Sequence, residues 1–229
     1  MAQRSLRPLK KPPPLRQLVY DSLVELIIYG TLAPREHLVE ADIANRLGTS
    51  RIPVREALQL LHRDGWVDLR PRRGAFVHQP TTREVDDVFR VRTLLEVEST
   101  RVAAERADAK SIKRLRKVLE AGTKVLARDD EKELVRLNST FHSQVAEIAD
   151  NHILAGIIGR LDSRIRWYFV PVVRTRGVES WKEHHTIVEA IAAGDPDRAA
   201  DAMRAHAELT QAAYHAAREE QEQAEAGLG

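Results

Sequence analysis

Cysteine is absent from the 229 residues, which excludes a disulfide framework and thiolate metal sites and suits a reducing compartment. No apolar run approaches the roughly 18–20 residues that a membrane span needs. The start, Met1 to Pro14, is basic and proline-rich but lacks the apolar core of a secretory signal, so it reads as a disordered tail. Internal repeats are missing, and beyond that tail there is no low-complexity tract. These absences point to a cytoplasmic protein with no membrane partner.

The hydrophobic share of 43% is ordinary and sufficient for a core. The length allows one large domain or two small ones. Charge favours two. Residues 1–79 hold 13 Lys/Arg against 8 Asp/Glu, a net of +5, and residues 80–229 hold 23 against 26, a net of −3, which together give the +2 of the chain. A basic first third on an acidic remainder suggests a module for a polyanion attached to something else.

The first segment has the spacing of a compact helical unit. Leu15, Leu18, Val19, Leu23, Leu26 and Ile27 keep helical phase before Gly30. Ile43, Ala44 and Leu47 mark a short second helix that ends at Gly48. Thr49-Ser50 offers an N-cap to a third, in which Pro53 falls in the first turn and Val54, Ala57, Leu58 and Leu61 form the apolar stripe. Trp66–Leu69 and Ala75–Val77 read as two strands around the turn Arg70-Pro71-Arg72-Arg73-Gly74. Three helices and a hairpin over 15–79 make a winged helix-turn-helix. After the break at Pro80-Thr81-Thr82 the pattern is helical throughout, near 82–107, 109–127, 130–149, 152–174, 179–193 and 196–219. Asp129-Asp130, Asp150-Asn151, Gly177 and Gly194-Asp195-Pro196 are the expected breakers. The expected fold is therefore mainly α: the winged helix, then an all-α antiparallel bundle of about six helices over 80–220 and a frayed tail at 221–229.

On the third helix Arg51, Arg55, Gln59 and, less squarely, His62 face away from the apolar stripe, and Ser50 opens it. The N-terminal end of such a helix reaches base edges in the major groove, where a guanidinium can meet guanine O6 and N7 together. Arg70, Arg72 and Arg73 would place cations at the wing tip, with Gly74 allowing close backbone approach to DNA. The run from Leu32 to Ala44, then Leu47 to Leu58, Asp64-Gly65-Trp66-Val67 and Arg73-Gly74, resembles the GntR family of bacterial regulators. The resemblance implies DNA contacts at Arg51 and Arg55 and near Gly74. Ala41 stands where some relatives have a further DNA-contacting arginine.

Polar residues also interrupt apolar stripes in the second segment. Asn138 and His142 share a stripe with Leu134, Val135, Val145 and Ala149. His184 lies with Trp181, Ile187, Val188 and Ile191, and His206 with Ala199, Ala202, Met203, Leu209 and Ala213. Three imidazoles and an amide oxygen aimed into one bundle suit Zn²⁺, Ni²⁺ or another divalent transition metal; the alternative is three core histidines with hydrogen-bond partners. His184 is chosen over His185 because it shares the apolar face. Asn138–His142, Glu183-His184 to Ile187, Ala193-Gly194-Asp195 and Met203–His206 resemble the FCD effector domain of the FadR subfamily. That resemblance implies a metal held by an Asp and three His beside a small organic acid, with Asn138 here at the Asp position, and repression as the commoner outcome. Arg92, and less strongly Arg164, are the expected effector-binding cations.

The expected partners are a palindromic double-stranded operator, a small organic acid and a second copy of the chain in a homodimer, with effector binding changing the relative placement of the two winged helices. Two other readings stay open: a metal-dependent enzyme with Glu183 or Glu147 as base, and an architectural DNA-binding protein that senses nothing.

Overall fold

A computed structural model describes residues 13–226. The chain divides at Gln79/Pro80 into two compact units. The expected disordered tail falls mostly on residues outside those described; Pro13 and Pro14 are exposed, and Pro14 precedes the first helix.

In the first unit α1 (Leu15–Ile28) buries Val19, Leu23, Val24, Ile27 and Ile28. It packs on α3 (Arg51–Arg63), which follows α2 (Glu40–Arg46) after a turn at Gly48, whose φ of 63° needs a residue without Cβ. The apolar stripe of α3 is fully buried. Trp66, Val67, Ala75 and Val77 are buried with it, and the strand after Trp66 packs on α3. That sheet has three strands, β1 (His37–Leu38), β2 (Val67–Arg70) and β3 (Gly74–Val77), in the order β1-β3-β2. The wing strands pair antiparallel from Val67↔Val77 to Arg70↔Gly74, and β1 adds to the far edge of β3. Two residues are too few to show an alternating pattern, so the sequence reading has only the hairpin.

The second unit is a bundle of six α-helices: α4 (Thr82–Arg106), α5 (Ala109–Leu126), α6 (Glu131–Ile148), α7 (His152–Phe169), α8 (Val173–Ala192) and α9 (Pro196–Ala226). The starts are written in capping chemistry. Thr81 and Glu84 form a reciprocal box, as do Asp108 and Ser111, and the side chains of Asp130 and Asn151 accept from the backbone at Glu133 and Leu154. Asp129 and Asp150 take positive φ, 56° and 52°, between helices, a conformation Asp tolerates better than most side chains. Among the described residues no helix is long and apolar enough to cross a membrane.

Two expected boundaries are corrected. Gly177 does not break the chain: it lies inside α8, where a Cβ would come 2.8 Å from Leu134 of α6, so the glycine serves close packing. The interruption is a 3₁₀ turn, Val170–Val172, at Pro171, which lacks the N–H that an α-helix would use. The tail expected to fray from Gln221 instead continues α9 to Ala226, where Arg218 bonds Glu222 at 3.0 Å and the residues are good helix formers.

Two glycines separate packing from propensity. A Cβ on Gly122 would fall 1.8 Å from the Trp181 ring, which is anchored by its N–H to the Leu119 carbonyl at 2.9 Å. Nothing lies within 4 Å of a Cβ on Gly159. Gly159→Ala should therefore stabilise the protein by up to about 1 kcal/mol, whereas Gly122→Ala should destabilise it by about 1–3 kcal/mol despite the same gain in propensity. Thermal melts of the two variants check this, and shifts of the same sign would contradict it.

Candidate functional site

Of the basic residues of the first unit, the fold gathers Arg55, Arg70 and Arg72 around one cleft. A cleft of about 550 Å³ between the wing and α2–α3 is lined in part by Arg55, Gln59, Arg72 and Gly74. Ser50, Arg51 and Arg73 are exposed. Ser50 precedes α3 in an extended conformation, with its hydroxyl unused as a cap. Arg55 donates from Nε and Nη2 to Glu40 at 2.9 and 2.7 Å, which leaves the Nη1 edge of the guanidinium turned elsewhere. His62 is exposed but does not line this cleft, and its Nδ1 bonds the Val67 carbonyl at 2.9 Å.

The wing tip is strained. Pro71 and Arg72 occupy the central positions of a turn closed by Arg73 N–H to Arg70 O at 3.0 Å, and Arg72 takes φ 62° where glycine or asparagine is usual. Gly74 has φ 90°, and the His37 ring, stacked on Phe76 at 4.7 Å, lies 2.8 Å from where its Cβ would be. The space beside Gly74 thus belongs to His37, a residue the sequence reading passed over because its partner is 37 positions away.

In the second unit, α6 brings Asn138 and His142, α8 brings His184 and α9 brings His206 into one buried cluster, in which each imidazole offers a nitrogen within 4.8 Å of the others. Ring centroids are 5.3 Å apart for His142–His184 and His142–His206, and 4.7 Å for His184–His206. Asn138 Oδ1, both nitrogens of His184, His206 Nε2 and His142 Nδ1 are buried without a hydrogen-bond partner. Native interiors rarely leave such atoms unpaired, and each costs about 1–3 kcal/mol. Neutral imidazole nitrogens and an amide oxygen facing one another are the donor set that a divalent transition metal accepts, so the residues present fit one.

Around the cluster the carboxylates are already engaged. Arg92 and Glu96 on α4 form a buried pair at 3.0 Å, and Arg92 Nη2 donates to His142 Nε2 at 3.0 Å. Glu96 Oε2 is also 3.2 Å from His142 Nδ1, outside hydrogen-bond alignment. Burial pulls the Glu96 carboxyl up, but the charges of Arg92 and His142 outweigh it and hold it at about 2. Glu183 accepts from Arg176 at 2.6 Å and from His206 Nδ1 at 2.8 Å, which fixes the proton on Nδ1 and presents Nε2 as a lone pair. Sequence points to Glu183 only as the base of the enzyme reading, and to neither Glu96 nor Arg176 as a pocket charge, although Glu96 lies four residues beyond Arg92.

A small cavity of about 20 Å³ adjoins the cluster, lined by Arg92, Glu96, Asn138 and His142 together with Ile158, Leu161, Asp162 and Ile165 of α7. Arg164 is not brought there. The cavity face of α7 follows 158, 161, 162 and 165, and Arg164 falls off that phase, its guanidinium 5.4 Å from the Trp167 ring.

The gntR family of bacterial regulatory proteins matches residues 15–77, and the FCD domain matches residues 87–209. The chain belongs to the GntR family of transcription regulators, in the group that carries an FCD domain. It is 29% identical over 203 residues to the HTH-type transcriptional regulator YdhC of Bacillus subtilis, covering 86% of this chain and 90% of that one. It is 30% identical over 189 residues to a probable D-xylose utilization operon transcriptional repressor of Paenarthrobacter nicotinovorans, covering 82% and 83%. The fold is shared with Escherichia coli McbR/YncC, at a TM-score of 0.75 and 22% identity over 89% of this chain and 98% of that one.

The imidazoles give this GntR-family protein a pH-dependent stability when metal-free. Burial pushes the His206 ring down to about 4 and, with the neighbouring His and Arg charges, the His184 ring well below its usual 6.5. Between pH 6.5 and 4 the unfolded chain takes up protons that the folded state refuses, so stability is fully present above that window and falls as pH drops through it. His206 alone should account for a loss of about 2–3 kcal/mol by pH 4.5. Urea midpoints of metal-free protein across pH 4.5–7.5 test this; the fall should be shallower in His206→Gln, and a flat profile would refute it.

Proposed function

We propose that this transcription regulator is a homodimeric repressor, acting in the cytoplasm on a palindromic operator, whose DNA binding responds to a small organic acid in a pocket holding Zn²⁺ or Ni²⁺. The observation that carries the effector half is the set of unpartnered nitrogens of His184 and His206 and the unpartnered Asn138 oxygen, closed in beside a buried arginine. A metal held by Asn138, His142, His184 and His206 would supply a Lewis-acid position for a carboxylate. The chain's own residues do the rest. Glu183 orients His206, Glu96 keeps Arg92 in place, and Arg92 offers two N–H groups to an acid that enters beside Asn138. Glu183 is held ionised below its ordinary range by His206 and Arg176, against its burial, which disfavours it as the base of a hydrolytic enzyme.

For the DNA half, Arg51 and the open edge of Arg55 read bases, Ser50 and Gln59 join them from α3, and Arg72 and Arg73 with the Gly74 backbone meet phosphate or minor groove at the wing. The strain at Arg72 supports this, because a glycine there would suit the backbone better. A second copy has the exposed Val91 and Leu94, three residues apart on α4, to meet.

Operator binding followed by gel shift, with and without candidate acids, tests the whole reading alongside metal analysis. Stripping metal with a chelator should lower Tm and abolish the response to acid, and a protein that carries no metal when purified in its presence would remove the effector half. Arg51→Ala should weaken operator binding by about 1–3 kcal/mol and relax its sequence preference. Arg72→Gly should act in opposite directions: folding stability gains up to about 1 kcal/mol as the positive φ is relieved, while DNA affinity falls and its salt dependence becomes shallower. A parallel change in stability and affinity would argue against a wing contact.

A further inference from the structure

The charged groups bordering the imidazole cluster come in opposed pairs. Arg92 is matched by Glu96 at 3.0 Å, Arg176 by Glu183 at 2.6 Å, and Asp162, which lines the cavity, by Arg166 at 3.1 Å. Asn138, the fourth polar group of the cluster, carries no charge, and its Oδ1 is buried without a partner at the cavity wall. The protein side of the site is therefore formally neutral.

A divalent cation on this donor set would bring two positive charges into an interior that holds nothing left to balance them. An uncompensated charge in such surroundings is strongly disfavoured, so the balance has to come from what binds next to the metal. The cavity of about 20 Å³ gives room for little more than a water or an ion. A larger ligand would enter only by displacing the apolar α7 wall of Ile158 and Leu161, which favours a short one.

We propose that the pocket selects short organic acids bearing two negative charges, dicarboxylates in the first instance, and that Asn138 is the residue that sets this preference by donating an oxygen without a charge. The proposal rests on the metal-and-acid reading above and adds to it the charge of the ligand. An aspartate at this position would lower the positive charge by one and shift the balance towards singly charged acids. Arg92 serves either class, so it fixes the presence of a carboxylate but not the number.

The test uses the full chain loaded with Zn²⁺, metal content measured directly, and calorimetric titration at pH 7.5 with acids matched in skeleton but not in charge: succinate against succinamate, and malate against 3-hydroxybutyrate. The diacid of each pair should bind at least about tenfold tighter, equivalent to about 1.4 kcal/mol. Asn138→Asp, with its fold checked by circular dichroism and its metal content again measured, should bring that ratio to unity or below. Equal binding of both members of each pair to metal-loaded wild type overturns the proposal, as does an unchanged ratio in Asn138→Asp or the absence of binding by either class. If Asn138→Asp fails to fold, the matched pairs on wild type decide. A wild-type chain that takes up no metal overturns the underlying reading as well, and the metal measurement distinguishes that result from a failure of charge selection alone.

Discussion

An imidazole removed from water must still place its N–H and its lone pair, and in the second unit three of them are buried together with too few partners. That constraint orders the surrounding structure. It requires α6, α8 and α9 to converge at fixed rotation about their axes, because a helix turned by one residue carries its histidine about 100° out of the cluster. It requires α4 to bring an arginine and a carboxylate together to the same place, and Glu183 to be anchored by Arg176 so that one ring keeps a defined tautomer. Apolar packing supplies most of the driving force for the bundle, but it is permissive about small rotations. The polar groups are not, which makes the cluster a determinant of register.

The winged helix obeys a different logic. Its core is conventional, with the α3 stripe buried together with Trp66 and the inward strand residues, and several of its departures from comfort fall at the wing, with another at Arg35. Arg72 in a left-handed conformation, a glycine at φ 90° beside a histidine ring, and an arginine clamped to Glu40 all lie around one cleft. Strain retained where relief would be easy is a mark of a surface selected for contact.

Much of this was legible in the chain. Helical phase identified every helix that carries a site residue, and polar letters on apolar stripes marked Asn138, His142, His184 and His206 before their proximity was known. Resemblance to a regulator family added the roles of Arg51, Arg55 and Arg92 as expectations. What stayed hidden depends on separation in sequence. Glu183 meets His206 across 23 positions and Arg92 meets His142 across 50, and no local pattern records either. Gly177 misled because a glycine that permits close helix packing is written with the same letter as one that ends a helix, while Pro171, only six residues earlier, was the true interruption. Arg164 lay near the right segment but off the phase of α7 that meets the cavity.

Helix α9 runs without a break from the cluster past the start of α4. Beyond His206 it presents Gln211 and His215, which bond Asp86 at 2.7 and 2.8 Å near the start of α4, and then Arg218, which donates to the Pro80 carbonyl at 2.7 Å. Twelve residues of helix span roughly 18 Å, and over that length an α-helix behaves as a stiff rod. A rigid shift of α9 driven from His206 would therefore carry Arg218 with it, and with Arg218 the first backbone carbonyl after the winged helix. One continuous helix thus ties the imidazole cluster to the first residue of the second unit.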